Sequence, residues 1–258
     1  AALAGRAHNA RRPLRRAELI GVSVIIVAIS MARPPMLAAA LLLLIPGLAD
    51  TRRWPLTGAL WVAGIASVTL AWVAYAAVYS SNTLGHLGTP TYPMRQLAEL
   101  LEQPLRFLAL VSETWRVSGE NLTRHFIGEL GWFEVLLPAP YYRFMLAILA
   151  CALLAALLER KAVRWFASAI VGAAVVAGAF GLLLILYLSW TPQGWTYIEG
   201  PQGRYFLPLA LLCCAGLPAL GAGTLPRALL TCVVAAAPLA TLAVVPWAVI
   251  ARYYLAPG

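Results

Sequence analysis

The chain has 258 residues, of which 62% are hydrophobic and only 11% are charged. A soluble domain carries about 25% charged residues, so this composition excludes an ordinary soluble protein and predicts an integral membrane protein. The apolar stretches are far longer than barrel strands and lack their alternation, which predicts an all-α polytopic helical bundle. The net charge of +9 does not indicate a nucleic-acid partner, because the basic residues cluster at the ends of apolar stretches, where they set topology.

The first two apolar stretches are short. Leu19–Ala32 has 14 residues and Pro34–Ala49 has 16. As helices they would reach about 21–24 Å, whereas a bilayer core is about 30 Å thick. Either each is a short, tilted span, or the pair forms a hairpin that turns before or at the far interface. The sequence Arg33-Pro34-Pro35 favours a sharp turn, because the residue before a proline is displaced from helical conformation.

Five further apolar stretches complete a prediction of seven membrane segments. They are Trp54–Tyr79, Phe144–Leu158, Trp165–Trp190, Tyr205–Gly223 and Leu229–Ile250. The whole chain, 1–258, is predicted to form one transmembrane domain. It starts at Ala1 without a methionine or a signal peptide, so we expect it to be the C-terminal part of a longer protein.

The basic residues also predict an orientation. The positive-inside rule places the N-terminus in the cytoplasm, together with the short basic connections. Their residues are Arg52, Arg53, Arg160, Lys161, Arg164 and Arg227. The segment 80–140, the polar residues 199–204 and the C-terminus then lie on the extracytoplasmic face.

The outer segment 80–140 is too long for a simple connector and is predicted to lie in the membrane interface. Polar residues recur at helical spacing from Met94 to Leu110, and leucines occupy the opposite face. We therefore expect an amphipathic helix whose polar side meets water. Its polar residues are Arg95, Gln96, Glu99, Glu102, Gln103 and Arg106. Pro104 is expected to bend or restart this helix.

The polar run Glu199–Pro208, between two late apolar stretches, is the strongest candidate for a binding site. Polar groups at the mouth of a span are costly unless they meet water, a headgroup or a ligand. Arginine suits bidentate binding of phosphate, so Arg204 is the candidate residue for an anionic headgroup or a lipid-linked phosphate. The candidate substrate-binding residues are Arg204, Gln202, Tyr205, Glu199, Gly203, Trp195 and Trp132.

Structural interpretations stand beside these roles. Arg204 is equally well explained as an interfacial anchor with its stem in lipid. Glu199 is expected to pair with Arg204; the alternative is a base or a ligand for a sugar hydroxyl. In the second glycine-containing cluster, Phe126–Trp132, the glycines indicate tight turns and Trp132 suits an interfacial belt. Glu129 and Glu134 are interpreted as solvated loop carboxylates.

No metal site and no cofactor are expected. The outer histidines, His86 and His125, have no partner at ligand spacing, so each is interpreted as a surface histidine. Ala174 and Gly178 form a small-xxx-small pair, which predicts close helix packing. The four cysteines lie in apolar stretches and are expected to be small buried hydrophobes. They are Cys151, Cys213, Cys214 and Cys232.

Two motifs carry a family resemblance. Gly200, Gln202, Gly203, Arg204, Tyr205 and Pro208 match a G-x-Q-G-R-Y-x-x-P pattern, and Phe126, Gly128, Leu130, Gly131 and Trp132 match F-x-G-x-L-G-W. On these residues, over most of its length, the chain resembles bacterial polytopic membrane proteins of the domain-of-unknown-function family 2142. The Arg33-Pro34-Pro35 turn is also similar, with arginine in the place of an expected lysine.

The resemblance implies similarity to the membrane-embedded glycosyltransferases called the GT-C group. Such an enzyme takes a sugar from a polyprenyl-phosphate carrier to a glycan acceptor, here in synthesis of envelope polysaccharide. The implied partners are membrane lipid, the polyprenyl-phosphate-linked sugar and the acceptor, and the implied location is the bacterial cytoplasmic membrane. The group's catalytic acid usually lies in the first outer loop. The sole aspartate here, Asp50, is on the predicted cytoplasmic side, so no catalytic residue is assigned.

Two other classes of function stay open. A transporter subunit for glycans or lipids would place ionisable residues at mid-membrane depth, and Trp54–Tyr79 and Trp165–Trp190 contain none. A non-catalytic scaffold of a polysaccharide-synthesis complex predicts that Arg204 can be replaced without loss of lipid binding.

Overall fold

The computed structural model describes residues 14–45, 56–79, 89–130, 134–158, 165–216 and 227–255. Within these ranges the chain is helical and forms no β-strand. The α-helices are α1 Arg16–Ala32, α2 Leu56–Tyr79, α3 Pro93–Glu102, α4 Pro104–Ile127, α5 Ala139–Leu158, α6 Trp165–Ser189, α7 Leu207–Gly216 and α8 Arg227–Ile250. Two 3-10 helices are η1 Pro34–Leu44 and η2 Gly203–Phe206, and a π-helical turn, Ala251–Leu255, follows α8.

Three helical segments in the described ranges are long and apolar enough to cross a membrane: Leu56–Ala76, Trp165–Ser189 and Ala235–Leu255. Three shorter apolar helical segments accompany them: Pro34–Leu44, Ala139–Leu154 and Gly203–Cys214. The predicted class, an all-α membrane protein, is confirmed. The count of seven membrane segments stays a prediction.

The chain divides into two compact units. Unit 1 comprises Ala1–Val117, Trp165–Pro201 and Pro208–Gly216, and unit 2 comprises Ser118–Arg164, Gln202–Leu207 and Leu217–Gly258. The prediction of a single transmembrane domain within a longer protein stays a prediction, as does the placement of segment 80–140 outside the cell.

In unit 1, η1 packs against α1, α2 and α6. Arg33 separates α1 from η1 with a non-helical backbone, φ −141° and ψ 87°, as its position before a proline predicts. The 3-10 rise of about 2.0 Å per residue stretches the 11 residues of η1 over about 22 Å. α1 also contacts η1 directly, and Trp72 Nε1 of α2 donates to the Met31 carbonyl at 3.1 Å.

The small-xxx-small pair of α6 lies at a helix contact, as predicted. Ala174 and Gly178 are both buried. A Cβ added at Gly178 would lie 2.7 Å from Leu209 Cδ2 and 3.6 Å from Ala38 Cβ. The missing side chain therefore allows α7 and η1 to approach α6 closely.

In unit 2, α5 packs against α8. Tyr141 and Tyr142 of α5 are buried in this contact together with Leu137. The Tyr141 and Thr241 hydroxyls are 2.9 Å apart and share a hydrogen bond, and the Leu137 backbone N–H donates to the Tyr142 hydroxyl at 3.2 Å. These bonds satisfy the polar ends of two otherwise buried rings.

Candidate functional site

The predicted amphipathic helix is two helices, because α3 ends at Glu102 and α4 begins at Pro104. Proline is well accommodated in the first turn of a helix but not in its interior, so Pro104 restarts the helix. The apolar side has the exposure expected of an interfacial helix, with Leu101 75% and Leu105 77% exposed. The polar side is not fully solvated, which corrects the prediction.

Gln96, predicted to face water, is 0% exposed. Its Nε2 donates to the carbonyl oxygens of Tyr187 and Thr191, both at 3.0 Å. The Tyr187 carbonyl lies in the last turn of α6, where a helix leaves carbonyl groups without an internal donor. Gln96 therefore caps α6 from a different helix, and helical periodicity in the sequence did not reveal this role.

A second polar connection joins α3 and α4 to the chain after α6. Arg106 forms an ion pair with Glu99 at 2.8 Å, and the other Glu99 oxygen accepts from Gln193 Nε2 at 2.9 Å. Both side chains of the ion pair are partly buried. The polar side of these helices is thus a packing surface within unit 1.

The loop 191–200 of unit 1 is fixed by threonine hydroxyls. Thr191 Oγ1 donates to the Leu186 carbonyl at 3.2 Å and accepts from the Glu199 backbone N–H at 3.0 Å. Thr114 of α4 accepts from the N–H of fully buried Ile198 at 2.7 Å. These bonds hold a loop that has no regular secondary structure of its own.

Two of the candidate binding residues, Trp195 and Glu199, lie in this loop. The rings of Trp195 and Tyr197 are 5.1 Å apart between centroids and tilted by 51°. Slight burial raises the pKa of Tyr197, and the charge and hydrogen bond of Glu199 raise it further. Gly200 has a φ of +81°, and a Cβ there would lie 2.6 Å from Trp190 Cδ1, so this position needs glycine. The loop therefore presents an aromatic pair beside a carboxylate.

The other described candidates belong to unit 2. Arg204 is exposed in η2, and its Nε donates to Gln202 Oε1 at 2.7 Å. The guanidinium carbon lies 6.0 Å from the centre of the Tyr205 ring, at the outer limit of a cation–π contact. The structure thus brings Gln202, Arg204 and Tyr205 together around one guanidinium group.

Gly203 places this group against α4. A Cβ at Gly203 would lie 2.0 Å from the Leu122 carbonyl oxygen and 2.4 Å from the Phe126 backbone nitrogen. A real Cβ cannot occupy that space, because both neighbours are backbone atoms of a helix. The absent side chain of Gly203 therefore allows the G-x-Q-G-R-Y-x-x-P motif (the late motif) to approach α4 directly at Gly203. Helix α4 ends at Ile127, inside the F-x-G-x-L-G-W motif (the earlier motif).

The side chains of His125 and Glu129 meet beside this contact, with Nε2 and Oε2 2.9 Å apart, in a hydrogen bond that becomes an ion pair when His125 is protonated. Their side chains are only 17% and 7% exposed. The interpretations of His125 as a surface histidine and of Glu129 as a solvated carboxylate are therefore wrong. Gly128, with a φ of +151°, turns the chain after α4 so that Glu129 returns to the helix.

The electrostatics of His125 tie it to the late motif. Burial lowers the pKa of His125, Glu129 raises it, and the nearby charge of Arg204 lowers it again. Sequence spacing contained one usable signal for the pair, since His125 and Glu129 are four residues apart at a helix end. It contained no signal for their proximity to Arg204.

Several predicted residues have other outcomes. Trp132, His86 and Asp50 lie outside the described residues. Glu134 is exposed, as predicted, and accepts from the Tyr253 hydroxyl at 3.3 Å. Cys151 and Cys214 are exposed rather than buried, because they lie on outward faces of apolar helices. Across the described ranges, no three His, Cys, Asp or Glu side chains are grouped as metal ligands would be.

These helices define an all-α membrane protein with polar groups gathered around the ends of its apolar segments. The chain belongs to the family described as "Predicted membrane protein (DUF2142)", which matches residues 1–213. Comparison with curated proteins and with solved structures found no match.

Proposed function

We propose that this protein is a GT-C-like glycosyltransferase of the bacterial cytoplasmic membrane, acting in synthesis of envelope polysaccharide. Its donor is a sugar linked to a polyprenyl phosphate, and its acceptor is a glycan on the extracytoplasmic face. An acceptor hydroxyl attacks the anomeric carbon and loses its proton to a base, and the polyprenyl phosphate departs. We do not assign the role of this base to any residue of the chain.

The observation that carries the proposal is the exposed arginine of unit 2, oriented by its neighbours. Gln202 holds one edge of the Arg204 guanidinium, and Gly203 fixes the backbone against α4. An arginine oriented in this way suits a phosphate, because its planar fork of donors matches the phosphate oxygens. In this role Arg204 holds the carrier phosphate, and Gln202 and Tyr205 position the guanidinium.

The loop of unit 1 supplies a separate argument for carbohydrate chemistry. Trp195 and Tyr197 offer flat apolar faces, which suit a sugar ring or a polyprenyl chain, and Glu199 stands beside Tyr197. We assign Trp195 and Tyr197 to packing against ligand and Glu199 to a hydrogen bond with a sugar hydroxyl. Trp132 is proposed for a similar aromatic contact on its residue type alone.

The test is native mass spectrometry of the detergent-purified protein with a synthetic polyprenyl-phosphate hexose. Arg204→Ala is expected to lose binding at least tenfold, about the effect of removing a charge-assisted hydrogen bond. Arg116→Ala is the matched control, because Arg116 is also an exposed arginine but is paired with Glu113 in α4 of unit 1. The control should bind as the wild type does.

The outcomes distinguish a phosphate-binding role of Arg204 from an anchoring role. Loss of binding in Arg204→Ala, with normal folding and normal binding by the control, supports recognition of the carrier phosphate by Arg204, which the proposed transferase requires. Equal binding by wild type and Arg204→Ala reduces Arg204 to an interfacial anchor. No binding by either protein contradicts the proposal and favours the scaffold.

A further inference from the structure

We propose that His125 is a second cationic residue of the anion site at Arg204, and that its protonated form strengthens binding of a phosphodiester monoanion. The inference rests on the proposed function and deepens it, because it makes binding of the carrier proton-linked. His125 acts here through its charge and not through contact with the ligand. It is therefore a positioning residue.

The geometry begins with the backbone contact between η2 and α4. Gly203 lies against the Leu122 carbonyl and the Phe126 nitrogen. His125 precedes Phe126 on that helix, and Arg204 follows Gly203. The close backbone approach thus brings the imidazole and the guanidinium into one region of unit 2, with no room for a side chain between the two segments.

The charged groups around His125 come from each neighbouring element. Glu129, in the chain after α4, pairs with Nε2 of the imidazole. Arg204 of η2 opposes a second positive charge. Within α4, Arg124 is engaged by Glu120, and Tyr142 of α5 lies within electrostatic reach of Arg124 and Glu129. Together these groups set the pKa of His125, and an anion bound at Arg204 would change that pKa.

Linkage gives the sign of that shift. Burial lowers the pKa of His125, Glu129 raises it and Arg204 lowers it, so His125 is neutral at pH 7 when no ligand is bound. An anion at Arg204 offsets the guanidinium charge and raises the pKa of His125. Because coupling is reciprocal, protonation of His125 must increase anion affinity by the same factor. Affinity should be level above about pH 7 and should rise as the pH falls below about 6.5.

The experiment measures the Kd of the detergent-purified protein for a polyprenyl-phosphate hexose from pH 8 to pH 5.5. A phosphodiester keeps one negative charge across this range, so the ligand does not contribute to the pH profile. We expect the wild type to bind about five- to tenfold more tightly at pH 5.5 than at pH 8. A second arm with phosphatidylglycerol distinguishes the lipid-linked sugar from an ordinary phosphodiester headgroup.

Three variants identify the titrating group. His125→Gln should bind with a level pH profile, whereas His86→Gln should keep the wild-type profile. Glu129→Gln should move the rise in affinity to lower pH, because Glu129 raises the pKa of His125. Elution as a single species and a cooperative unfolding transition verify that each variant is folded.

The dependence of the wild-type Kd on pH tests the role of His125 even where a variant does not fold. A level profile with normal affinity overturns the role of His125 and leaves the proposed function standing. An unchanged rise in His125→Gln likewise overturns the inference alone. Absence of binding by the wild type at every pH overturns the proposed function and the inference together.

Discussion

Gly203 and Leu122 approach so closely that a Cβ at residue 203 would lie 2.0 Å from the Leu122 carbonyl oxygen. Gly203 belongs to the G-x-Q-G-R-Y-x-x-P motif, and Leu122 lies in α4 one turn before the earlier motif, Phe126–Trp132, begins. Gly203 also lies against the backbone nitrogen of Phe126, although α5 and α6 separate the two motifs in the chain. The contact therefore unites the motifs in unit 2. It also makes Gly203 the position whose change has the most direct structural consequence.

Gly203→Ala is expected to destabilise the protein by at least about 2 kcal/mol, because the added methyl group meets helix backbone that cannot rotate away. The measurement is the thermal unfolding midpoint in detergent. Gly172→Ala is the matched control, since a Cβ there meets nothing within 4 Å. A midpoint for Gly203→Ala equal to that of the control would contradict the observed contact.

Gln96→Leu is expected to cost about 1–3 kcal/mol of unfolding free energy. The change removes the donor for two carbonyl groups, those of Tyr187 and Thr191, at a position that excludes water. Gln103→Leu is the control, because Gln103 is an exposed residue between α3 and α4. Chemical unfolding in mixed detergent measures both, and equal losses would show that the Gln96 bonds contribute nothing specific.

Gly178→Val is expected to destabilise unit 1 by about 1–3 kcal/mol, because a side chain there collides with Leu209. Leu209→Ala removes the colliding atoms, so the double variant should be more stable than the sum of the two single changes predicts. We expect a coupling of at least about 0.5 kcal/mol.

The control for that pair is Gly172→Val combined with Leu209→Ala, where a Cβ at residue 172 is in open space. Its two effects should add to within about 0.5 kcal/mol. If the stability changes add in the Gly178/Leu209 pair as they do in the Gly172/Leu209 pair, Gly178 is not the reason that α7 lies close to α6.

The stability of the ligand-free protein should fall between pH 7 and pH 5.5. Burial lowers the pKa of His125 below its ordinary value of about 6.5, so the unfolded chain takes up a proton first. The contribution of neutral His125 to folding stability is complete above the pKa of this residue in the unfolded chain. It is lost as the pH falls through that value towards the lower pKa of His125 in the folded protein. His125→Gln should flatten this decline, and unfolding midpoints across the range measure it.

The control for the acid profile is His86→Gln, which should keep the wild-type slope. His125→Gln also removes a partner of Glu129, so its stability at pH 7 is expected to be lower. The slope with pH, and not the absolute midpoint, is the decisive quantity. A slope equal to that of the wild type would show that His125 does not titrate in this window.

Local steric rules were sufficient for the helix boundaries at proline. Arg33 leaves the helical conformation before Pro34, and α4 restarts at Pro104, as backbone geometry requires whatever surrounds them. The packing of Ala174 and Gly178 was also predictable, because small residues one turn apart permit close approach on any helix. The grouping of Gln202 and Tyr205 with Arg204 followed from their neighbouring positions in the chain.

Side-chain surroundings were not predictable in the same way. A polar face of a helix has the same sequence period whether it meets water or another polar surface, so Gln96 and Glu99 were assigned to solvent. His125 and Glu129 were interpreted as exposed for a similar reason. Their burial depends on the return of the chain at Gly128 and on the approach of Gly203.

The sequence by itself determined that this is an all-α membrane protein, where its proline breaks fall and which polar runs interrupt its apolar stretches. These properties follow from composition, segment length and local sterics, which do not depend on distant residues. The tertiary structure alone decided that α6 is capped by Gln96 and that the charge of Arg204 acts on His125. Both depend on burial and electrostatics between segments far apart in the chain, and these exist only once the backbone brings the segments into contact.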